Sequence, residues 1–139
     1  MIIDAKDLIV GRMGTFVAKK ALLGERVDIV NADLAVISGK KTQILANYRQ
    51  KSTRGVPSKG PHYLRLSDRF LKRLIRNMLP YKQERGKEAF KRIMCWRGVP
   101  DKFKDQKFTV VETAKVSKLP NYNYIKIKDI VSYLGGKVE

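Results

Sequence analysis

Apolar positions along the chain fall into short runs alternating with helical stripes. Ile2-Ile3 and Leu8-Ile9-Val10-Gly11 frame a short opening strand and a turn. Beyond the turn, Met13, Phe16, Val17 and Ala21 recur at the spacing that lines one face of a helix, and Gly24 suits its C-terminal stop. Val27-Asp28-Ile29-Val30 reads as a second strand, and Leu34-Ala35-Val36-Ile37 as a third extended run, divided by Asn31-Ala32-Asp33. Strand, helix and strand in succession predict a parallel pairing, because a crossover connection returns the chain in its original direction. A further helix is expected from about Lys40 to Tyr48, with Ile44, Leu45 and Tyr48 as its apolar positions.

From Arg49 to Pro61 the pattern dissolves. Gly55, Pro57, Gly60 and Pro61 punctuate the stretch and no apolar period survives, so residues 49–61 are expected to form a loop or extended arm. Arg49, Lys51, Arg54 and Lys59 lie in it without an acid, the composition of an arm ordered by an anionic partner. The clearest helical pattern follows. Ser67 is expected to cap it, Asp68 places an acid in its first turn, and Pro80 closes it. Leu71, Leu74, Ile75 and Met78 make the apolar stripe. Arg69, Lys72, Arg73 and Arg76 repeat the same spacing two residues earlier, about 200° around the helix, so one side packs and the other is cationic. Another helix is expected from about Glu84 to Met94, with Ala89, Phe90, Ile93 and Met94 apolar. Phe108-Thr109-Val110-Val111 and Tyr124-Ile125-Lys126-Ile127-Lys128 are strand-like, and Asp129 to Leu134 suits a final helical turn or two. Neither a repeat nor a second-domain boundary is evident, so residues 1–139 read as one domain.

Charge changes the picture. The 139 residues hold 30 Lys+Arg against 13 Asp+Glu, a formal charge of +17 and a pI near 10.2. At 43% hydrophobic residues the chain can still bury a core, so a folded cationic domain is expected rather than a disordered basic tail. Residues 1–39 hold five bases and five acids, residues 40–92 sixteen and three, and residues 93–139 nine and five. Between Asp33 and Asp68 there is no acid, while Lys40, Lys41, Arg49, Lys51, Arg54, Lys59 and Arg65 fall in that gap. Such self-repulsion opposes compaction unless a polyanion neutralises it, and phosphate backbones are the abundant intracellular one. An ordinary solvated face mixes signs. Binding to anionic lipid would need adjoining apolar anchors, which these bases lack. The N-terminal residues carry charges where a signal peptide needs an apolar run, and no stretch approaches the roughly 18 apolar residues of a membrane span. A soluble intracellular protein is expected.

Catalytic chemistry finds little support. Gly39-Lys40-Lys41-Thr42 fails as a nucleotide-binding loop: Leu34 stands where its first glycine belongs, and Lys41 where a Ser or Thr would hold magnesium. Gly11-Arg12-Met13-Gly14 lacks the dinucleotide spacing. Helix N-termini attract phosphate without any such fingerprint, which makes Arg12 and Lys40 candidate phosphate contacts. His62, the one histidine, lies in the arm, and Cys95 beside Ile93, Met94 and Trp96 reads as an inert buried thiol. A lone cysteine builds neither a disulfide framework nor a multi-cysteine zinc site. Only Asp68, Glu84 and Glu88 supply carboxylates in the cationic middle, and the last two, four residues apart on a helix, more simply pair with nearby bases. No enzyme, cofactor, metal or small-molecule substrate is expected.

With the arm and the basic helices in place, the sequence resembles the universal large-subunit ribosomal protein thirteen family in its shorter archaeal or eukaryotic form. The resemblance rests on Asp4-Ala5 with Gly11-Arg12, on Val30-Asn31-Ala32 with Val36-Ile37-Ser38-Gly39-Lys40-Lys41, and above all on Ile75-Arg76-Asn77-Met78-Leu79-Pro80. Arg85-Gly86, Ala89-Phe90 and Gly98-Val99-Pro100 follow in order. It implies a three-layer α/β/α domain around a small, mainly parallel four-stranded sheet, with a basic extended arm. It also implies a non-catalytic constituent of the large ribosomal subunit in the cytoplasm, bound to large-subunit (23S-type) rRNA, beside neighbouring large-subunit proteins, and supporting assembly. Arg12, Lys40, Arg76 and Arg85 match motif positions and are expected to meet RNA. With Lys41, Arg49, Lys51, Arg54, Lys59, Arg65, Arg69, Lys72, Arg73 and Lys82 they make the expected rRNA-binding set. A free-standing RNA chaperone or translational regulator is the alternative.

Overall fold

A computed structural model describes residues 1–137. In chain order the elements are β1 (Ile2–Asp4), α1 (Val10–Leu22), β2 (Val27–Val30), β3 (Val36–Ser38), α2 (Lys41–Ser52), α3 (Ser67–Arg76), α4 (Glu84–Lys91), β4 (Ile93–Cys95), β5 (Tyr124–Lys126) and α5 (Ile127–Tyr133). The expected crossover is present: β1 and β2 pair in parallel with Ile3 opposite Ile29, joined by α1. Met13, Val17 and Ala21 of α1 are fully buried, and the Met13 and Val17 side chains contribute about 1.5–3 kcal/mol each. Gly24 ends the helix region at φ +99°, a conformation that favours glycine.

Side chains alternate across the sheet, and its two faces have different cores. Ile3, Val27, Ile29, Ile93 and Cys95 join the main core, which also takes the buried residues of α1, α3, α4 and α5. Ile2 and Val30 face a smaller cluster with Phe103, Trp96 and Val99. Buried Asp28 accepts a hydrogen bond from Trp96 Nε1 at 3.0 Å and pairs with Arg26 Nε at 3.5 Å. Thus the second face is covered by a loop and one 3₁₀ turn, Asp101–Phe103, where a helix would complete a third layer.

The sheet departs from the expected four parallel strands. Three pair in the order β1-β2-β4. The Phe108–Val111 run contributes one parallel bridge, Ile3 to Thr109: Val111 is buried in the main core while Phe108 and Val110 stay exposed, so the run is anchored at its end and touches the edge at one point. The third run leaves the sheet as well. Asn31 adopts a left-handed conformation at φ +55° and a 3₁₀ turn, Ala32–Leu34, redirects the chain, so β3 pairs antiparallel with β5 in a separate two-stranded sheet. That pairing stops at Lys126, where α5 begins, so only the first part of the expected C-terminal strand is extended.

Three helix boundaries also differ. α4 ends at Lys91, and Ile93-Met94-Cys95 pairs with β2 instead of extending the helix: a short apolar run suits either element, and burial on both sheet faces favours the strand. α3 starts at Ser67 itself, so Leu66 occupies the cap position with no side-chain bond, and Ser67 is buried. Its buried face is Phe70, Leu71 and Ile75; Met78 lies beyond the helix end and is exposed. α2 continues through Ser52, so Arg49 and Lys51 are helical and the expected arm at 49–61 becomes a loop over 53–66. Basic residues in a last turn complement the helix dipole, which accounts for the extension. The base of the loop is pinned by an aromatic cluster: Tyr48, Tyr63 and Phe70 lie with ring centroids 5.1–6.4 Å apart.

Candidate nucleic-acid interface

The helix α3 builds the centre of the cationic surface. Burial of Phe70, Leu71 and Ile75 fixes its rotation, and Arg69, Lys72, Arg73 and Arg76 consequently line a groove of about 390 Å³ with Leu64 and Phe90. The two stripes are not simply opposed as spacing implied: Arg69 is exposed, while Lys72, Arg73 and Arg76 are half-buried. Lys72 Nζ lies 4.9 Å from the Phe90 ring centroid and donates to Met94 Sδ at 3.5 Å. Arg73 stacks 5.1 Å from the Tyr63 centroid and donates to the His62 carbonyl at 3.4 Å, and Arg76 lies 4.9 Å from that of Tyr81. Burial raises the Tyr63 phenol above its ordinary 10.0, with Arg73 pulling against it, and burial first and then Tyr63 push Tyr48 up to about 12. The Tyr48 and Tyr63 hydroxyls therefore keep their protons at physiological pH.

The other expected cations form smaller groups. Arg54 and Arg65, with His62, line a hollow of about 540 Å³ formed by the loop on itself, and Lys59 is exposed nearby in sequence. Lys51 lies 5.4 Å from the Tyr48 centroid, and Arg49 is exposed. Arg12 sits in the first turn of α1 and donates to the Thr113 carbonyl at 3.3 Å. Lys40 is the cap residue of α2 and Lys41 its first residue. Arg12 and Lys40 border adjoining hollows that share Ser38 and Leu119. Lys82 and Arg85 are exposed in the turn before α4 and in its first turn. Sequence spacing did not reveal Tyr63 and Tyr81 as partners of the arginines, since both lie outside α3.

Charge pairing divides the molecule. Among the described residues the ion pairs are Lys20–Glu25, Arg26–Asp28, Arg92–Glu88, Lys104–Asp101, Lys115–Glu112 and Lys126–Asp7. No expected RNA contact is among them. Cys95 is buried and its thiol is pushed up to about 12 by desolvation, so it is not a nucleophile near neutrality. Among the described residues no helix is long and apolar enough to cross a membrane.

An α/β fold whose cationic groove and loop have no carboxylate partners among the described residues presents the kind of surface that suits a polyanion. Comparison of the sequence narrows this class. A model of the family described as "Ribosomal protein L13" matches residues 1–102. The large ribosomal subunit protein uL13 of Methanococcoides burtonii is 43% identical over 136 residues, 98% of each chain. Its counterpart in Methanosarcina barkeri is 41% identical over 137 residues, again 98% of each. That of Archaeoglobus fulgidus is 38% identical over 135 residues, 96% of this chain and 86% of the relative. The chain belongs to the ribosomal protein L13 family.

Proposed function

We propose that this chain is a structural, non-catalytic constituent of the large ribosomal subunit in the cytoplasm, a single domain that binds large-subunit rRNA and touches neighbouring subunit proteins. The observation that carries the reading is the segregation of charge. Among the described residues six carboxylates pair with bases outside the expected RNA-binding set, while the cations of α3, the loop and the helix starts have no carboxylate partner and are left to neutralise phosphate. Contacts of this kind fix position and read the shape of folded RNA more than its sequence. Family membership supplies the particle in which such RNA is found. No observation favours the free-standing chaperone or regulator.

Two measurements test it. The protein is expected to sediment with large subunits through a high-salt cushion. Its binding to in vitro transcribed large-subunit rRNA is expected to weaken with a log–log salt slope of about −6 to −7, corresponding to roughly eight neutralised phosphates. Binding indifferent to salt would overturn the electrostatic mechanism, and absence from washed subunits would overturn the assignment.

A further inference from the structure

Three of the four cations of α3 lie against aromatic rings, and none of the four has a carboxylate partner among the described residues. Lys72, Arg73 and Arg76 lie 4.9, 5.1 and 4.9 Å from the centroids of Phe90, Tyr63 and Tyr81. A carboxylate would also fix a guanidinium, but it would cancel the charge. A ring attracts the cation through its quadrupole and leaves the whole charge available to a third group. Among the described residues buried Arg76 Nε has no hydrogen-bond partner, so this guanidinium is positioned without a competing acceptor at that nitrogen. Leu64 and Phe90 add apolar lining to the groove, and low-dielectric walls strengthen the field of the charges beside them.

We propose that the groove beside α3 seats a phosphodiester of the RNA backbone, and that Tyr63, Tyr81 and Phe90 are positioning residues that hold its cations in the binding geometry. This rests on the reading of the chain as an rRNA-binding protein and adds to it a division of labour: the bases supply charge, and the rings supply preorganisation. A cation held beforehand loses less side-chain freedom when the phosphate arrives. The two roles have different signatures. Removing a base removes a phosphate contact and flattens the salt dependence; removing a ring leaves the charge count, and hence the slope, unchanged.

Tyr81 offers the cleanest test, being partly exposed and outside the aromatic cluster at the base of the loop. Full-length Tyr81→Leu, Tyr81→Phe and Arg76→Gln proteins are titrated against in vitro transcribed large-subunit rRNA across a salt series, with thermal melts confirming the fold. Tyr81→Leu is expected to lower affinity about three- to tenfold at unchanged slope, and Tyr81→Phe, which keeps the ring face, to bind like the parent. Arg76→Gln is expected to reduce the slope by about 0.7–0.9. If Tyr81→Leu binds like the parent while Arg76→Gln weakens binding, the positioning role is wrong and the RNA-binding face stands. If Tyr81→Phe loses as much as Tyr81→Leu, the hydroxyl is the contact and the role of the ring is overturned. If Arg76→Gln changes neither affinity nor slope, α3 is not the seat of the phosphate.

Discussion

Reversing two charges on α3 separates its binding role from its packing role. In the Arg73→Glu/Arg76→Glu protein the substituted positions lie four residues after Arg69 and Lys72, so two repelling cation pairs become attracting ones. Reversing both is worth about 1 kcal/mol in favour of the helix. Against this stand the contacts of Arg73 with Tyr63 and Arg76 with Tyr81, each at least about 0.5–1 kcal/mol, one long hydrogen bond to the His62 carbonyl, and the exchange of bases for acids in the last turn of the helix, where each charge is worth about 0.3–1 kcal/mol against the dipole. Among the described residues neither arginine has a carboxylate partner that the change would strand. The net effect on folding is therefore a loss of about 1–3 kcal/mol, a fall in Tm of roughly 4–12 °C that leaves the protein folded.

Binding responds on a different scale. At 0.15 M salt each neutralised phosphate contributes roughly four- to fivefold to affinity, so loss of two contacts costs about twentyfold before the added repulsion is counted. Filter binding to large-subunit rRNA at several salt concentrations, paired with calorimetric melts, reads both quantities. A folded double variant that binds within about threefold of the parent would refute the reasoning. A variant that fails to fold would show that the cationic stripe is structural.

Two further substitutions test the framework that presents this face. A Cβ on Gly86 would run into the Pro80 carbonyl, so Gly86→Ala is expected to lower stability by about 1–3 kcal/mol in urea unfolding, through displacement of the turn between α3 and α4. The Cys95 thiol, raised in the fold from 9.0 to about 12, makes its full contribution to stability below pH 9 and loses it as pH rises toward 12. Unfolding free energy is thus expected to fall above pH 9 by up to about 1.4 kcal/mol per pH unit relative to the Cys95→Ala protein, as followed by denaturant midpoints, and parallel profiles for the two would contradict it.

The parts of the fold legible from sequence are those where one local pattern has one outcome. Met13, Val17 and Ala21 share a face only in a helix, and the flanking strands then had to be parallel. Ile93-Met94-Cys95 was ambiguous because three apolar residues satisfy a helix end or a strand equally. The outcome was decided by the open edge of β2, which no local window contains. The departure of β3 turned on the backbone of Asn31, an asparagine in the left-handed region, a conformation this residue tolerates without announcing it. At the site, counting charges located α3 and the loop because an excess of bases survives folding. The pairing of Arg73 with Tyr63 and of Arg76 with Tyr81 joins residues across chain bends, so no helical period encodes it.

The ion pairs show how the same chain can be both folded and strongly basic. Lys126 to Asp7 ties β5 to the turn after β1, Arg26 meets the buried Asp28, and Arg92 links Glu88 to the carbonyl of Ala21 at the end of α1. Some acids thus join elements, whereas Asp68 and Glu84, in the first turns of α3 and α4, make no ion pair with the cations around them among the described residues. The consequence is a fold whose cationic third has one internal ion pair among the described residues, Arg92–Glu88, so that most of the repulsion there persists until an anion relieves it. Whatever binds the native surface and not the unfolded chain then adds its binding free energy to stability, and a polyanion does so most strongly at low salt. Stability of the free chain and of its RNA complex should accordingly respond to salt in opposite directions: screening eases repulsion in the former and dissolves the contacts of the latter.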